Sequence, residues 1–199
     1  MVEMTIRMAA CADAQALRDI YKPYVDTPVT FEEDVPSVDE FERRIDGIIR
    51  VYPYLVCVQN GRPIGYAYAH RFRERPAYRW GAELSVYISG EHQGKGIGKA
   101  LYTVLIDLLK EQGVKNVYAS ITLPNEKSEG LHRSLGFRTA GIYHHTGYKC
   151  GKWHDVLWLE REIGECGGAP AEVIPITQLD SEIVRSILKK AELTIQKMP

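Results

Sequence analysis

The stretch WGAELSVYISGEHQGKGIGKALYTVLIDLLK, residues 80–110, decides the fold. It opens as a strand, LSVYI at residues 84–88, with apolar side chains on alternate positions. The chain then turns through Ser89, Gly90, Glu91 and His92 and runs on as Gln93-Gly94-Lys95-Gly96-Ile97-Gly98. A helix follows, with Leu101, Val104, Leu105, Leu108 and Leu109 on one side. Alternate glycines at a helix start remove side chains, so backbone N–H groups can approach an anion while the helix dipole adds positive potential. The first expectation is therefore a phosphate or pyrophosphate site at this turn. A P-loop fails twice here: Ser89 stands where its first glycine belongs, and Gly96 follows Lys95. A dinucleotide fingerprint fails on the spacing of its last glycine. A glycine-rich turn without a ligand is the remaining alternative, although glycine costs a helix roughly 1 kcal/mol per position.

The reading that fits in full is Gln/Arg-x-x-Gly-x-Gly/Ala between a strand and a long helix, met by residues 93–98. It resembles the coenzyme A pyrophosphate loop of the GNAT superfamily of N-acetyltransferases. The rest of the chain has the matching order. Residues 5–8 read as a strand. Asp13 is expected to cap a helix carrying Ala16, Leu17, Ile20 and Tyr21, and Ser37 a second one with a capping-box glutamate at Glu40. Asn60-Gly61 signals a hairpin between residues 54–58 and 64–69. Gln112-Gly113 stops the long helix, residues 116–121 form a strand, and Pro124-Asn125 starts another helix. Two closing strands end the unit. The expected class is α/β (α+β): a mixed central sheet of about seven strands, helices on both faces, and central strands that splay apart.

The segments YRWGAELSVYI (78–88), LHRSLGF (131–137) and GYKCGKWHDV (147–156), with VTF (29–31) and YPYLV (52–56), resemble the phosphinothricin and methionine sulfoximine N-acetyltransferase branch. The likeness spans about residues 5–163. It implies acetyl transfer from acetyl-CoA to the α-amino group of a small glutamate-like amino acid. It places a general base at Glu83 and backbone contacts to the coenzyme at Val86, Tyr87 and Ile88, with the Val86 N–H as oxyanion donor. Gln93, Gly94, Lys95, Gly96, Ile97 and Gly98 would hold the pyrophosphate, and Asn125 and Ser134 match further coenzyme-contacting positions. His132 stands where many members carry the tyrosine that protonates the thiolate; a buried structural histidine is the alternative. Members commonly pair, so a homodimer is expected.

Phe31 is a candidate wall of the acceptor pocket, and Arg73 and Arg75 are candidates for a planar two-point contact with a carboxylate. These arginines, with Arg71, count against cationic acceptors such as polyamines or aminoglycosides. A protein N-terminus as acceptor and a non-catalytic acyl-CoA-binding module stay open.

Composition sets the remaining bounds. The 199 residues are 45% hydrophobic and 26% charged with a net charge of −1, as in a globular protein with no global bias toward nucleic acid or anionic membranes. No run approaches the roughly 20 apolar residues of a spanning helix. The first residues read as no secretory signal. Cys11, Cys57, Cys150 and Cys166 lack paired spacing, which suggests free thiols in the cytoplasm and no zinc site. Residues 1–163 read as the acetyltransferase domain, 164–179 as a linker, and 180–199 as an amphipathic helix.

Overall fold

The computed structural model describes residues 4–195. The elements run β1 (Met4–Met8), α1 (Ala14–Val25), α2 (Val38–Ile49), β2 (Tyr54–Gln59), β3 (Arg62–Arg71), β4 (Gly81–Ile88), α3 (Ile97–Glu111), β5 (Asn116–Thr122), α4 (Glu126–Ser134), β6 (Arg138–Lys149), β7 (Lys152–Glu162) and α5 (Ser181–Ile195). The strands form one seven-stranded sheet in the order β1-β2-β3-β4-β5-β7-β6, and only β4 and β5 run parallel.

Local chemistry sets the element ends. Ser37 Oγ accepts from the Glu40 amide at 3.1 Å, while the Glu40 carboxylate pairs with Arg43 and Arg44 instead of closing the box. Asn60 and Gly61 both have positive φ, 48° and 78°, as a two-residue hairpin turn demands. Asp13 does not cap α1 with its side chain. Its carboxylate takes the Ala10 amide at 2.9 Å and a two-point ion pair with Arg7 at 2.6 and 2.7 Å, so the stronger charged partner on β1 wins.

Each sheet face carries its own core. Helix α3 lies on one face with Leu101, Leu105 and Leu108 fully buried, and α1 and α2 cover the other with Leu17 and Ile45 fully buried. Each such residue contributes about 2 kcal/mol of burial. Helix α5 packs on α3 and β1, with Ile195 buried and Val184, Ile187 and Leu188 against the same core. Residues 196–199 of the expected terminal helix lie outside the described residues.

The segment between β7 and α5 is stitched down along its length. Trp80 Nε1 donates to the Ala171 carbonyl at 2.7 Å, and the Ile174 amide donates to the Gln112 carbonyl at 2.8 Å. The buried Gln112 side chain donates to the carbonyls of Val51 and Ile174, both at 2.7 Å. Gln112 thus does more than end α3: it joins the chain after β7 to the α2–β2 connection.

Candidate active site

Strands β4 and β5 pair only at Gly81↔Asn116, Ala82↔Val117 and Glu83↔Tyr118. Beyond Glu83 they part, and a cleft of about 450 Å³ opens between them. Its α3 side is lined by Tyr102, Asn125, Ser128 and His132; its other side by Phe31, Tyr143, Thr146 and Trp158.

Strand alternation decides which backbone groups face the opening. The Ser89 amide donates to the Ile64 carbonyl at 2.9 Å, so odd-numbered residues of β4 turn their N–H and C=O toward β3 and even-numbered ones toward the splay. Of the three expected backbone sets, Tyr87's therefore points to β3 and away from the cleft. Ile88 faces the opening, but its groups are held: Tyr24 Oη donates to the Ile88 carbonyl at 2.5 Å and accepts from its amide at 3.1 Å. Val86 is left to offer its amide and carbonyl along the open edge.

The loop after β4 leaves its backbone bare. Gly94 and Gly96 have φ of 76° and 82°, which an L side chain rarely tolerates, and nothing lies within 4 Å of a Cβ built on Gly94. Gly96 is the N-cap of α3 and provides no side chain, so the first-turn amides look outward without a protein cap. Gly98 differs. A Cβ there would meet Leu131 at 3.3 Å and Val86 at 3.8 Å, so its bareness serves the close approach of α3 to α4 and β4. Ile97 is buried and contributes only backbone. Lys95 is exposed, and so is Gln93, whose side-chain amide donates to Tyr24 Oη at 3.0 Å.

Glu83 is the last β4 residue paired to β5, and its Oε1 accepts from Ser120 Oγ at 2.7 Å. One carboxylate thus stands at the fork of the splay, tied on one oxygen. Asn125 caps α4 by accepting from the Ser128 amide at 3.2 Å and still lines the cleft. Ser134 is not brought there. It donates to the Leu131 carbonyl at 2.8 Å and lines a separate groove between α3 and α4.

His132 is 2% exposed, between Tyr102 and Phe137, with ring centroids at 5.3 and 5.1 Å. Its Nδ1 lies 2.7 Å from the Ser128 carbonyl, so that nitrogen carries the proton, and buried Nε2 has no hydrogen-bond partner among the described residues. Burial pushes the imidazole pKa below its ordinary value, against the pull of the Ser128 carbonyl. The unfolded chain then takes up a proton at His132 that the folded chain refuses. The stability tied to neutral burial is present above about pH 6.5 and falls as pH drops through and below that value. Thermal unfolding of His132→Gln should accordingly lose less between about pH 7.5 and about pH 5 than wild type. Equal losses would contradict neutral burial.

Arg73 lies on the rim, its guanidinium 4.9 Å from the Phe72 ring and 5.9 Å from the Trp158 ring. Arg75 is exposed, and neither arginine lines the cleft. Phe31 does line it, 39% exposed. Trp158 Nε1 is buried without a partner among the described residues, which leaves an unused donor on that wall of the cleft. Sequence reasoning missed Tyr24, Ser120, Tyr102 and Trp158, because each joins the site through a contact distant along the chain.

A mixed sheet forked beside a carboxylate, whose parted strand leads into an uncapped helix start, suits an acyl-group transferase of the acyl-coenzyme type. The family described as acetyltransferase (GNAT) domain matches residues 6–158, and the chain belongs to that family. Among its relatives, the phosphinothricin N-acetyltransferase of Streptomyces viridochromogenes is 39% identical over 175 residues, 87% of this chain and 95% of that one. The L-methionine sulfoximine/L-methionine sulfone acetyltransferase of Salmonella typhimurium is 34% identical, over 81% and 96%. A phosphinothricin acetyltransferase of Sinorhizobium meliloti, solved in complex with AcCoA, is 40% identical and superposes with a TM-score of 0.83 over 88% of this chain and 97% of that one. Among the described residues no group of three or more His, Cys, Asp or Glu could hold a metal ion, and no helix is long and apolar enough to cross a membrane.

Proposed function

We propose that the protein transfers the acetyl group of acetyl-CoA to the α-amino group of a small glutamate-like amino acid, of the phosphinothricin, methionine sulfoximine or methionine sulfone type. One observation carries the reading: β4 and β5 part beyond Glu83 around a cleft lined by Val86, and β4 leads on through positive-φ glycines into the uncapped start of α3. The outward amides of residues 94–98 suit a diphosphate, and the Val86 backbone suits an amide-bearing arm lying along a strand edge. Acetyl-CoA supplies an activated thioester carbonyl. The protein's own residues do the rest. Glu83, directly or through water, takes a proton from the incoming ammonium, and Ser120 keeps the carboxylate aimed. The Val86 amide is a fixed donor for negative charge that develops on the reacting carbonyl oxygen. His132 lines the cleft and has an unpartnered Nε2 among the described residues; being neutral at rest, it must receive a proton through the cleft before it can pass one to the departing sulfur.

On the acceptor side, Phe31 forms a wall and Trp158 Nε1 with Arg73 attracts a carboxylate or an oxidised head group. The experiment is free-thiol release from acetyl-CoA with methionine sulfone, methionine sulfoximine and phosphinothricin, with a polyamine for comparison. Release with one of the amino acids and none with the polyamine is expected. Tight coenzyme binding without release for any amino acid would overturn the proposal in favour of a binding module.

Residues 1–163 are proposed as the catalytic unit, with 164–179 and the helix from 180 as a brace on it. The protein is further proposed to act as a cytoplasmic homodimer. Its four cysteines are free, and edge strand β6 and its neighbour expose Ile142, Tyr143, Tyr148 and Trp153, apolar surface that a second copy would cover.

A further inference from the structure

The loop between α1 and α2 carries Phe31 over the acceptor side of the cleft, and one side chain from the far edge of the sheet holds it there. Lys149, at the end of β6, sends its ammonium into the loop and donates to three carbonyls: Val25 at 2.6 Å, Thr30 at 2.7 Å and Glu32 at 2.6 Å. An ammonium has three N–H donors, and here all three are used. The Val25 carbonyl belongs to the last turn of α1, where a cation is favoured by the helix dipole. The other two carbonyls flank Phe31 on either side. The backbone of Lys149 is itself fixed, because the buried His154 ring meets its carbonyl at 3.0 Å.

A second observation concerns the depth at which Phe31 sits. Gly147 lies two residues before Lys149 on β6, and a Cβ built on it would stand 2.5 Å from two atoms of the Phe31 ring. Its φ is not positive, so space rather than backbone conformation calls for glycine here. The ring rests on the bare strand. That strand is in turn shaped by a bulge between Tyr143 and Gly147, where the Asp155 carboxylate accepts from the His145 amide at 2.8 Å and meets His144 Nδ1 at 2.9 Å. The bulge brings Thr146 to the cleft lining beside Phe31 and Tyr143.

We propose that Lys149 and Gly147 set acceptor specificity: Lys149 is a positioning residue that holds the Phe31 loop closed, and Gly147 is the stop that fixes how deep the Phe31 ring lies in the acceptor pocket. The inference rests on the amino-acid acceptor reading above and deepens it. Neither residue touches the acceptor; both act through Phe31.

The test uses the full-length protein with Lys149→Met, Gly147→Ala, Phe31→Ala and the Gly147→Ala/Phe31→Ala double variant. Two readouts are taken: amide hydrogen exchange, and KM for amino acid and for acetyl-CoA separately. Lys149→Met should speed exchange in residues 26–33 about tenfold or more while α3 stays protected. It should raise acceptor KM about tenfold or more and leave the acetyl-CoA KM within about twofold. Gly147→Ala should also raise acceptor KM, yet change it by less than about twofold when Phe31 is already alanine, because the clash is with that ring. Additive effects of the Gly147 and Phe31 substitutions, or an unchanged acceptor KM despite faster loop exchange, would overturn the proposal. A wild-type enzyme inert toward every amino acid would overturn the acceptor reading and with it the specificity role, while the exchange measurement alone decides whether Lys149 clamps the loop.

Discussion

Glu83→Gln is expected to lower kcat about 100- to 1000-fold and to leave the Kd for coenzyme A within about twofold. The substitution is close to isosteric. Ser120 Oγ now donates to one carboxylate oxygen, and a glutamine carbonyl can accept the same bond, so the strand fork keeps its geometry. Only the capacity to take a proton is lost. Glu83 lies at the fork and not on the glycine loop, so the proposed coenzyme seat has no reason to weaken. Steady-state kinetics with titration calorimetry separates the two quantities. An equal loss of turnover and coenzyme affinity would mean that Glu83 shapes the site without acting as base.

Gly96→Ala is expected to weaken coenzyme A binding about tenfold or more, a loss of about 1.4 kcal/mol or more. Gly96 caps α3 at φ 82°, and a left-handed conformation costs an L residue about 1–2 kcal/mol. The variant relieves that strain by rotating the turn, which moves the outward amides of the first helical turn. Gly98→Ala provides the contrast. Its Cβ would press on Leu131 at 3.3 Å, so its cost should fall on thermal stability first. If both variants lowered stability alike and neither changed coenzyme affinity, the loop would be a structural turn and no anion seat.

The parts of the fold written in short-range code were legible in the chain. The glycines within Gln93–Gly98, the Asn60-Gly61 turn, the Ser37 and Asn125 caps and the strand at residues 84–88 each arise within a few residues, and the structure shows the positive φ values, the cap bonds and the strand. The fork of the sheet came from family resemblance rather than from any local pattern. What stayed hidden is what the fold joins from afar. Tyr24 lies 64 positions from Ile88, Lys149 more than a hundred from the loop it clamps, and Gln112 ties three segments through one side chain. No periodicity marks such residues, because a polar side chain satisfied at long range looks in sequence like any solvated one. Asp13 shows the converse: a good capping residue was taken by Arg7, whose nearness depends on how β1 meets the start of α1. Ser134 likewise bonds within α4 and faces another groove.

Tyr24 also bears on how the coenzyme arm enters. Its hydroxyl satisfies both backbone groups of Ile88 and the side chain of Gln93, so an arm laid along β4 meets Val86 freely and must displace or join Tyr24 one step further on.

The most direct measurement is the structure of the protein with acetyl-CoA bound. The account predicts the diphosphate on the amides of residues 94–98, the arm between β4 and β5 with a bond to the Val86 backbone, and the acetyl carbon on the Glu83 side of the cleft. A diphosphate bound elsewhere, or an arm that leaves the fork between β4 and β5 empty, would contradict it.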